Sequence, residues 1–206
     1  MIEPGTVGGE RPVIELGRPH LALAGLPGAG KSALAPLVAR RFGVPAVDLD
    51  RAIEARVGLP VPELVARDEA DFRVLEGEVL EDLLAAGAPR VVALGGGAVL
   101  AAANRAALRR RATVAWLACA PAVLAARLSG AGATARPLLA GDLQDALRRL
   151  GAAREAVYEE VADLVVDATQ PVGVVADTLV EALRVRGWGA SLVAPAPGVV
   201  EATARP

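Results

Sequence analysis

A glycine-rich octapeptide has the residue types and spacing that bind nucleotide phosphates. Residues 25–32 read Gly-Leu-Pro-Gly-Ala-Gly-Lys-Ser and fit the pattern G-x-x-x-x-G-K-S/T. Glycines let backbone N–H groups approach phosphate oxygens, while Lys31 reaches the β- and γ-phosphates and Ser32 offers a hydroxyl to Mg²⁺. Lys31 is the only lysine of the chain, and the segment 33–42 after the loop is helical in pattern. We therefore predict a phosphate-binding loop with nucleotide contacts at Gly28, Ala29, Gly30, Lys31 and Ser32.

Two carboxylates follow the second apolar run of the chain. Asp48 and Asp50, separated by Leu49, end a strand predicted over 46–49. Because side chains alternate along a strand, we expect both carboxylates on one side of it, at the carboxyl edge of the sheet, where ligands bind. Taken alone, the pair is equally typical of a solvated turn. The neighbouring phosphate loop favours a site.

A third group combines one arginine with a run of glycines. Arg73 and Glu76 stand three residues apart on a predicted helix, so the acid can hold the guanidinium in place. Gly95, Gly96 and Gly97 follow the third apolar run, where backbone can approach a ligand closely. Each group alone is also typical of a surface ion pair or a plain turn.

The elements that must position these residues alternate between strand and helix. This order predicts βαβ units on a parallel sheet. Apolar periodicity predicts one helix with Phe72, Leu75, Val79 and Leu83 on a single face, ended by Gly87, and a last helix between Pro171 and Gly187. The predicted strands are 21–24, 46–49, 90–94, 113–118 and 164–166.

The composition excludes several classes of protein. Of 206 residues, 53% are apolar and the formal net charge is −2, which excludes a disordered chain and gives no support to a nucleic-acid partner. The longest uncharged stretch, 112–126, is too short to cross a membrane and contains Pro121. The only cysteine, Cys119, has no partner for an internal disulfide. We expect a soluble, cytoplasmic protein.

Glycine and proline also suggest how the chain is divided. Residues 1–19 and 188–206 contain both types without periodicity, so we expect a flexible leader and a flexible tail. The intervening residues, 20–187, form one predicted α/β domain.

Taken in order, the motifs of this domain resemble those of the shikimate kinase family, over about residues 20 to 186. Besides the phosphate loop, they are Asp48-Leu49-Asp50, Phe72-Arg73-Val74-Leu75-Glu76, Gly95-Gly96-Gly97, Arg136-Pro137-Leu138-Leu139, and Arg154 before Tyr158-Glu159-Glu160-Val161-Ala162-Asp163. The resemblance implies a three-layer P-loop kinase fold, with a five-stranded parallel sheet, helices on both faces and a mobile lid. It also implies transfer of the ATP γ-phosphoryl group to the 3-hydroxyl of shikimate.

The same resemblance implies roles on the nucleotide side. Lys31 corresponds to the phosphate clamp, while Ser32 and Asp48 correspond to the Mg²⁺ ligands. Arg136 corresponds to a lid arginine that closes over the transferring phosphoryl group, and Arg127 is the best match for an arginine stacked on adenine.

On the substrate side, Asp50 corresponds to the residue that binds the hydroxyl groups of shikimate, including the hydroxyl that attacks. Arg73 and Arg154 correspond to the pair that grips the carboxylate. The glycines at 95–97 correspond to backbone groups that contact the substrate.

The implied partners are therefore ATP with Mg²⁺ and a small carboxylate-bearing polyol, shikimate, without nucleic acid or membrane; we expect a monomer. Two alternatives stay open at this point. One is another P-loop small-molecule kinase of the gluconate type, and the other is a non-catalytic relative that binds the metabolite.

Overall fold

The computed structural model describes residues 18–129 and 142–189, which hold five strands and eight α-helices. The strands are β1 (His20–Ala24), β2 (Ala46–Asp48), β3 (Val91–Ala93), β4 (Ala112–Ala118) and β5 (Leu164–Asp167). The helices are α1 (Lys31–Phe42), α2 (Leu49–Val57), α3 (Val61–Arg67), α4 (Glu69–Ala85), α5 (Ala102–Arg111), α6 (Pro121–Ser129), α7 (Leu143–Val161) and α8 (Val172–Val185). A 3₁₀ turn, Ala98–Leu100, precedes α5.

All five strands pair in parallel in the order β2-β3-β1-β4-β5, which confirms the predicted sheet. Each predicted strand agrees with the structure to within one residue at either end. The chain winds from β1 to one side of the sheet and from β3 to the other, so the order reverses around β1. In such a sheet the ligand crevice lies at the carboxyl ends of the strands, at this reversal.

The core lies between the sheet and helices on both of its faces. Right-handed crossovers that run in opposite directions put their helices on opposite faces. The β1-to-β2 crossover through α1 runs one way, and the later crossovers through α4, α5 and α7 run the other way. Helix α8 packs against α1. The predicted apolar face of α4 packs on the core through Phe72 and Val79, and the last helix, α8, buries Leu179 and Leu183.

The prediction for the end of β2 is wrong in one respect. The strand ends at Asp48, whose side chain caps α2 by accepting a hydrogen bond from the Arg51 backbone N–H at 3.2 Å. Leu49 opens the helix and is fully buried, and Asp50 lies in its first turn. The capping aspartate stops the strand, so helical geometry rather than strand alternation places Asp50.

The packed domain extends to Trp188, which the sequence assigns to the tail. Its indole is 2% exposed and meets the Phe42 ring edge-on, with ring centroids 4.8 Å apart. The other residues of the predicted tail, except Gly189, and residues 1–17 of the leader lie outside the described residues, as does the predicted lid. Among the described helices, none is long and apolar enough to cross a membrane.

Candidate active site

The phosphate loop links β1 to α1 at the reversal of strand order. Gly25, Gly28 and Gly30 all have positive φ angles, of 145°, 83° and 93°, which side chains rarely adopt. A Cβ atom at Gly25 would also lie 2.9 Å from the carbonyl oxygen of Leu117. Gly30 caps α1, so the loop delivers its backbone N–H groups at the positive end of a helix, a favourable place for phosphate.

Lys31 turns back over this loop. Its side chain is 9% exposed, and Nζ donates to the carbonyl oxygens of Gly25 at 2.7 Å and Leu26 at 3.0 Å. The ammonium group is thus held inside the concave side of the loop. Ser32 is exposed in the first turn of the same helix, where its hydroxyl can reach a ligand.

The three glycines after β3 form a surface that we call the glycine shelf, Gly95–Gly97. A Cβ atom at Gly95 would lie 2.8 Å from Oδ1 of Asp50. One at Gly97 would lie 2.7 Å from Nη1 of Arg73, and one at Gly96 would lie 3.3 Å from the ring of Pro27. A side chain at Gly95 or Gly97 would displace Asp50 or Arg73, so the glycines let these predicted substrate residues lie against the shelf, next to the phosphate loop.

Arg73 reaches the shelf from α4, and its guanidinium is paired with two carboxylates. Its guanidinium donates to Glu76 at 2.9 Å and to Glu69 at 3.0 Å, and it lies 5.1 Å from the centre of the Phe72 ring. Burial opposes the charge, but the two carboxylates outweigh it and raise the pKa of Arg73 above its ordinary value. The predicted pairing with Glu76 is confirmed.

Glu76 is also buried against the glycine shelf, which the sequence analysis did not foresee. Its side chain is 1% exposed, and a Cβ atom at Gly95 would lie 2.9 Å from its Oε1. Burial raises the pKa of Glu76 above its usual value; the charge of Arg73 opposes this shift and that of Asp50 adds to it. The available signal was an acid on the apolar face of α4, next to Leu75 and Val79.

Arg154 approaches the shelf from another helix, α7. It is 7% exposed, and its Nη1 donates to the carbonyl oxygen of Gly96 at 2.7 Å. The Tyr158 hydroxyl donates to the same oxygen at 2.9 Å. The structure therefore brings together Arg73, Arg154, Asp50 and the glycine shelf. Ser32, in the first turn of α1, and Asp48, at the end of β2, lie at the same edge of the sheet.

A cavity of about 270 Å³ borders the phosphate loop at Ala29 and Gly30. Its lining consists of Ala29, Gly30, Ala33, Leu34, Arg127, Ala168, Gln170, Pro171, Val172 and Val175. Arg127 donates to the carbonyl oxygens of Thr169 and Gln170, both at 3.1 Å, which ties α6 to the loop after β5. The predicted phosphoryl contact Arg136 lies outside the described residues.

Comparison with known proteins gives a consistent result. A family model described as shikimate kinase matches residues 27–184. The chain is 46% identical over 145 residues to a shikimate kinase of Symbiobacterium thermophilum, covering 69% of this chain and 83% of that one.

Among solved structures, the fold is similar to shikimate kinases of two other bacteria. One is the enzyme of Bacteroides thetaiotaomicron, with a TM-score of 0.73 and 31% identity over 80% of this chain and 98% of that one. The other is the Acinetobacter baumannii enzyme in complex with shikimate, with a TM-score of 0.73 and 29% identity over 87% of this chain and 97% of that one.

Proposed function

The chain belongs to the shikimate kinase family, and we propose that it transfers the γ-phosphoryl group of ATP to the 3-hydroxyl of shikimate, giving shikimate 3-phosphate and ADP. The observation that carries this proposal is the pair of guanidinium groups at the glycine shelf. Arg73 and Arg154 approach Gly97 and Gly96 from different helices, beside the carboxylate of Asp50. Two guanidinium groups beside the carboxylate of Asp50 suit a substrate that carries a carboxylate and hydroxyl groups.

The nucleotide phosphates bind in the loop of residues 25–32. Phosphoryl transfer depends on positioning and on neutralising charge, so the backbone N–H groups and the Lys31 ammonium supply most of what the reaction needs. Lys31 already lies in the concave side of the loop, where it exchanges the carbonyl oxygens of Gly25 and Leu26 for phosphate oxygens. The cavity beside Arg127 and Pro171 receives the adenine ring.

Asp50 orients the attacking hydroxyl and accepts its proton. Its Oδ1 faces Gly95 of the shelf, where a carboxylate can accept a proton from a bound hydroxyl. Arg73 and Arg154 hold the substrate carboxylate. Backbone groups of Gly96 and Gly97 also contact the substrate. The substrate thus presents its 3-hydroxyl towards the phosphate loop.

The residues at this edge also fit Mg²⁺. Ser32 offers a hydroxyl oxygen and Asp48 a half-buried carboxylate, and both are hard oxygen donors of the kind Mg²⁺ prefers. Few protein ligands are needed, because Mg²⁺ keeps waters and takes phosphate oxygens as ligands. When bound, the ion neutralises charge on the β- and γ-phosphates. Ser32 and Asp48 would hold it, with Asp48 acting through water.

One chain supplies the phosphate loop, the shelf and both guanidinium groups, which supports a monomeric enzyme. A net charge of −2 supports a protein that works without nucleic acid. We place it in the cytoplasm, where ATP is available, with no membrane partner.

A coupled assay of ADP release tests the function directly. Purified enzyme with ATP and Mg²⁺ is offered shikimate, gluconate and other small hydroxy acids, and the product is identified by phosphorus NMR. We expect shikimate to give the highest kcat/KM and a single 3-phosphate product. A higher kcat/KM for gluconate favours the gluconate-type alternative. If no acid gives ADP release above background, a non-catalytic binding protein is favoured.

A further inference from the structure

Tyr158 has no role in the mechanism above, yet its hydroxyl reaches the glycine shelf. It is the only tyrosine of the chain and lies on α7, four residues after Arg154. Its hydroxyl and Nη1 of Arg154 donate to the same acceptor, the carbonyl oxygen of Gly96, at 2.9 Å and 2.7 Å. One backbone carbonyl is therefore held by two side chains of one helix.

The ring of Tyr158 is itself fixed. It is 2% exposed and stacks on the Trp116 indole of β4, with centroids 5.6 Å apart and planes inclined by 16°. Burial raises the pKa of the Tyr158 hydroxyl above its ordinary value, although the nearby charge of Arg154 opposes this shift. The hydroxyl thus keeps its proton near neutral pH and remains a donor. A donor held rigidly in this way is suited to orient the glycine shelf.

We propose that Tyr158 is a positioning residue for the acid group of the substrate, acting through the Gly96 carbonyl and the Arg154 guanidinium. This inference rests on the proposed function, because it concerns the same carboxylate. Tyr158 itself does not touch the substrate.

The geometry of the peptide bond explains how one hydrogen bond can orient two groups. The Gly96–Gly97 peptide is trans, so its carbonyl and N–H point in opposite directions. A carbonyl fixed towards α7 therefore turns the Gly97 N–H away from α7, towards the open side of the shelf. The same carbonyl accepts a hydrogen bond from Nη1 of Arg154. This bond orients the planar guanidinium so that its other N–H groups can donate to a carboxylate.

The variant Tyr158→Phe removes the hydroxyl and keeps the stacked ring. We expect KM for shikimate to rise about three- to tenfold, as for the loss of one buried hydrogen bond. KM for ATP and kcat should each stay within about twofold, because the Tyr158 hydroxyl bonds to the Gly96 carbonyl and not to the phosphate loop or Asp50. Glu159→Gln, an exposed neighbour on the same helix, is the matched control, and thermal melting verifies that each variant is folded.

A double-mutant cycle with Arg154→Ala separates positioning from a general structural role. If Tyr158 acts through Arg154, adding Tyr158→Phe to Arg154→Ala should raise KM for shikimate by less than twofold further. Effects on KM that multiply independently, or a KM for shikimate that Tyr158→Phe leaves unchanged, would overturn the inference. An equal rise in KM for ATP would overturn it as well. A wild-type enzyme that does not phosphorylate shikimate refutes the proposed function itself, and the inference with it.

Discussion

Asp50 is the residue whose charge the reaction uses most directly. Its Oδ1 faces Gly95 in the first turn of α2, and the buried Glu76 approaches the same glycine. A carboxylate can accept the proton of the attacking hydroxyl only in its charged form. The chemistry at this position therefore depends on charge more than on shape.

The variant Asp50→Asn keeps the shape and removes the charge. We expect kcat to fall by about 100-fold or more, the range for loss of a general base, with the Kd for ATP within about twofold of wild type. Asp71→Asn, an exposed charge on α4, should leave kcat unchanged and serves as the control. Steady-state kinetics and calorimetry measure the two quantities. An unchanged kcat would show that Asp50 does not accept the proton.

At the scale of elements, the glycine shelf joins β3 to the arginine of α4. A methyl group at Gly97 has no room beside the Arg73 guanidinium, since the Cβ atom would lie 2.7 Å from Nη1 and 2.8 Å from Nη2. The Arg73 guanidinium must then shift from its place beside the shelf, where it is paired with Glu76. Nothing within 4 Å opposes a Cβ atom at Gly87, by contrast.

We therefore predict that Gly97→Ala raises KM for shikimate at least tenfold, because displaced Arg73 no longer meets the carboxylate. Gly87→Ala should leave KM unchanged. Both values come from the same steady-state assay, with melting temperature as the check on folding. Equal KM values for the two variants would contradict the tight contact between Gly97 and Arg73.

The same elements explain what sequence alone can predict. The five strands are apolar runs between helical segments, and the phosphate loop has its own spacing, so both follow from local pattern. Helix α3 is short and has no buried residue, so no apolar stripe announces it. The place of Asp50 depends on a cap at Asp48, and the burial of Glu76 depends on how α4 packs. Arg154 lies 58 residues after Gly96, to which it donates a hydrogen bond, and only the family resemblance predicts its place in the site.

At the scale of the whole molecule, one buried base couples stability to pH. His20 is 1% exposed at the start of β1, and its Nε2 lies 3.0 Å from the carbonyl oxygen of Leu84. Burial lowers the pKa of His20 below 6.5, the nearby charges of Arg90 and Arg111 lower it further, and the Leu84 carbonyl opposes the shift. The unfolded chain thus binds a proton at this residue more readily than the folded domain.

It follows that the free energy of unfolding falls as the pH drops below about 6.5, by up to about 1.4 kcal/mol per pH unit from this group. The loss ends below the pKa of the folded state. In His20→Gln, which does not titrate, this component should be absent. Urea unfolding of both proteins between pH 8 and pH 5 measures it. A difference in stability that stays constant over this range would show that His20 titrates alike in both states.

The central claim is that two guanidinium groups select a carboxylate-bearing substrate for phosphoryl transfer. The most direct measurement compares kcat/KM for shikimate with kcat/KM for the same molecule reduced to its alcohol, in wild type and in Arg154→Ala. Because loss of one partner of a desolvated charge pair costs about 2–5 kcal/mol, we expect wild type to prefer the acid by about thirtyfold or more. Arg154→Ala should lose most of that preference, with KM for ATP nearly unchanged. Equal use of the acid and the alcohol by wild type would contradict the account.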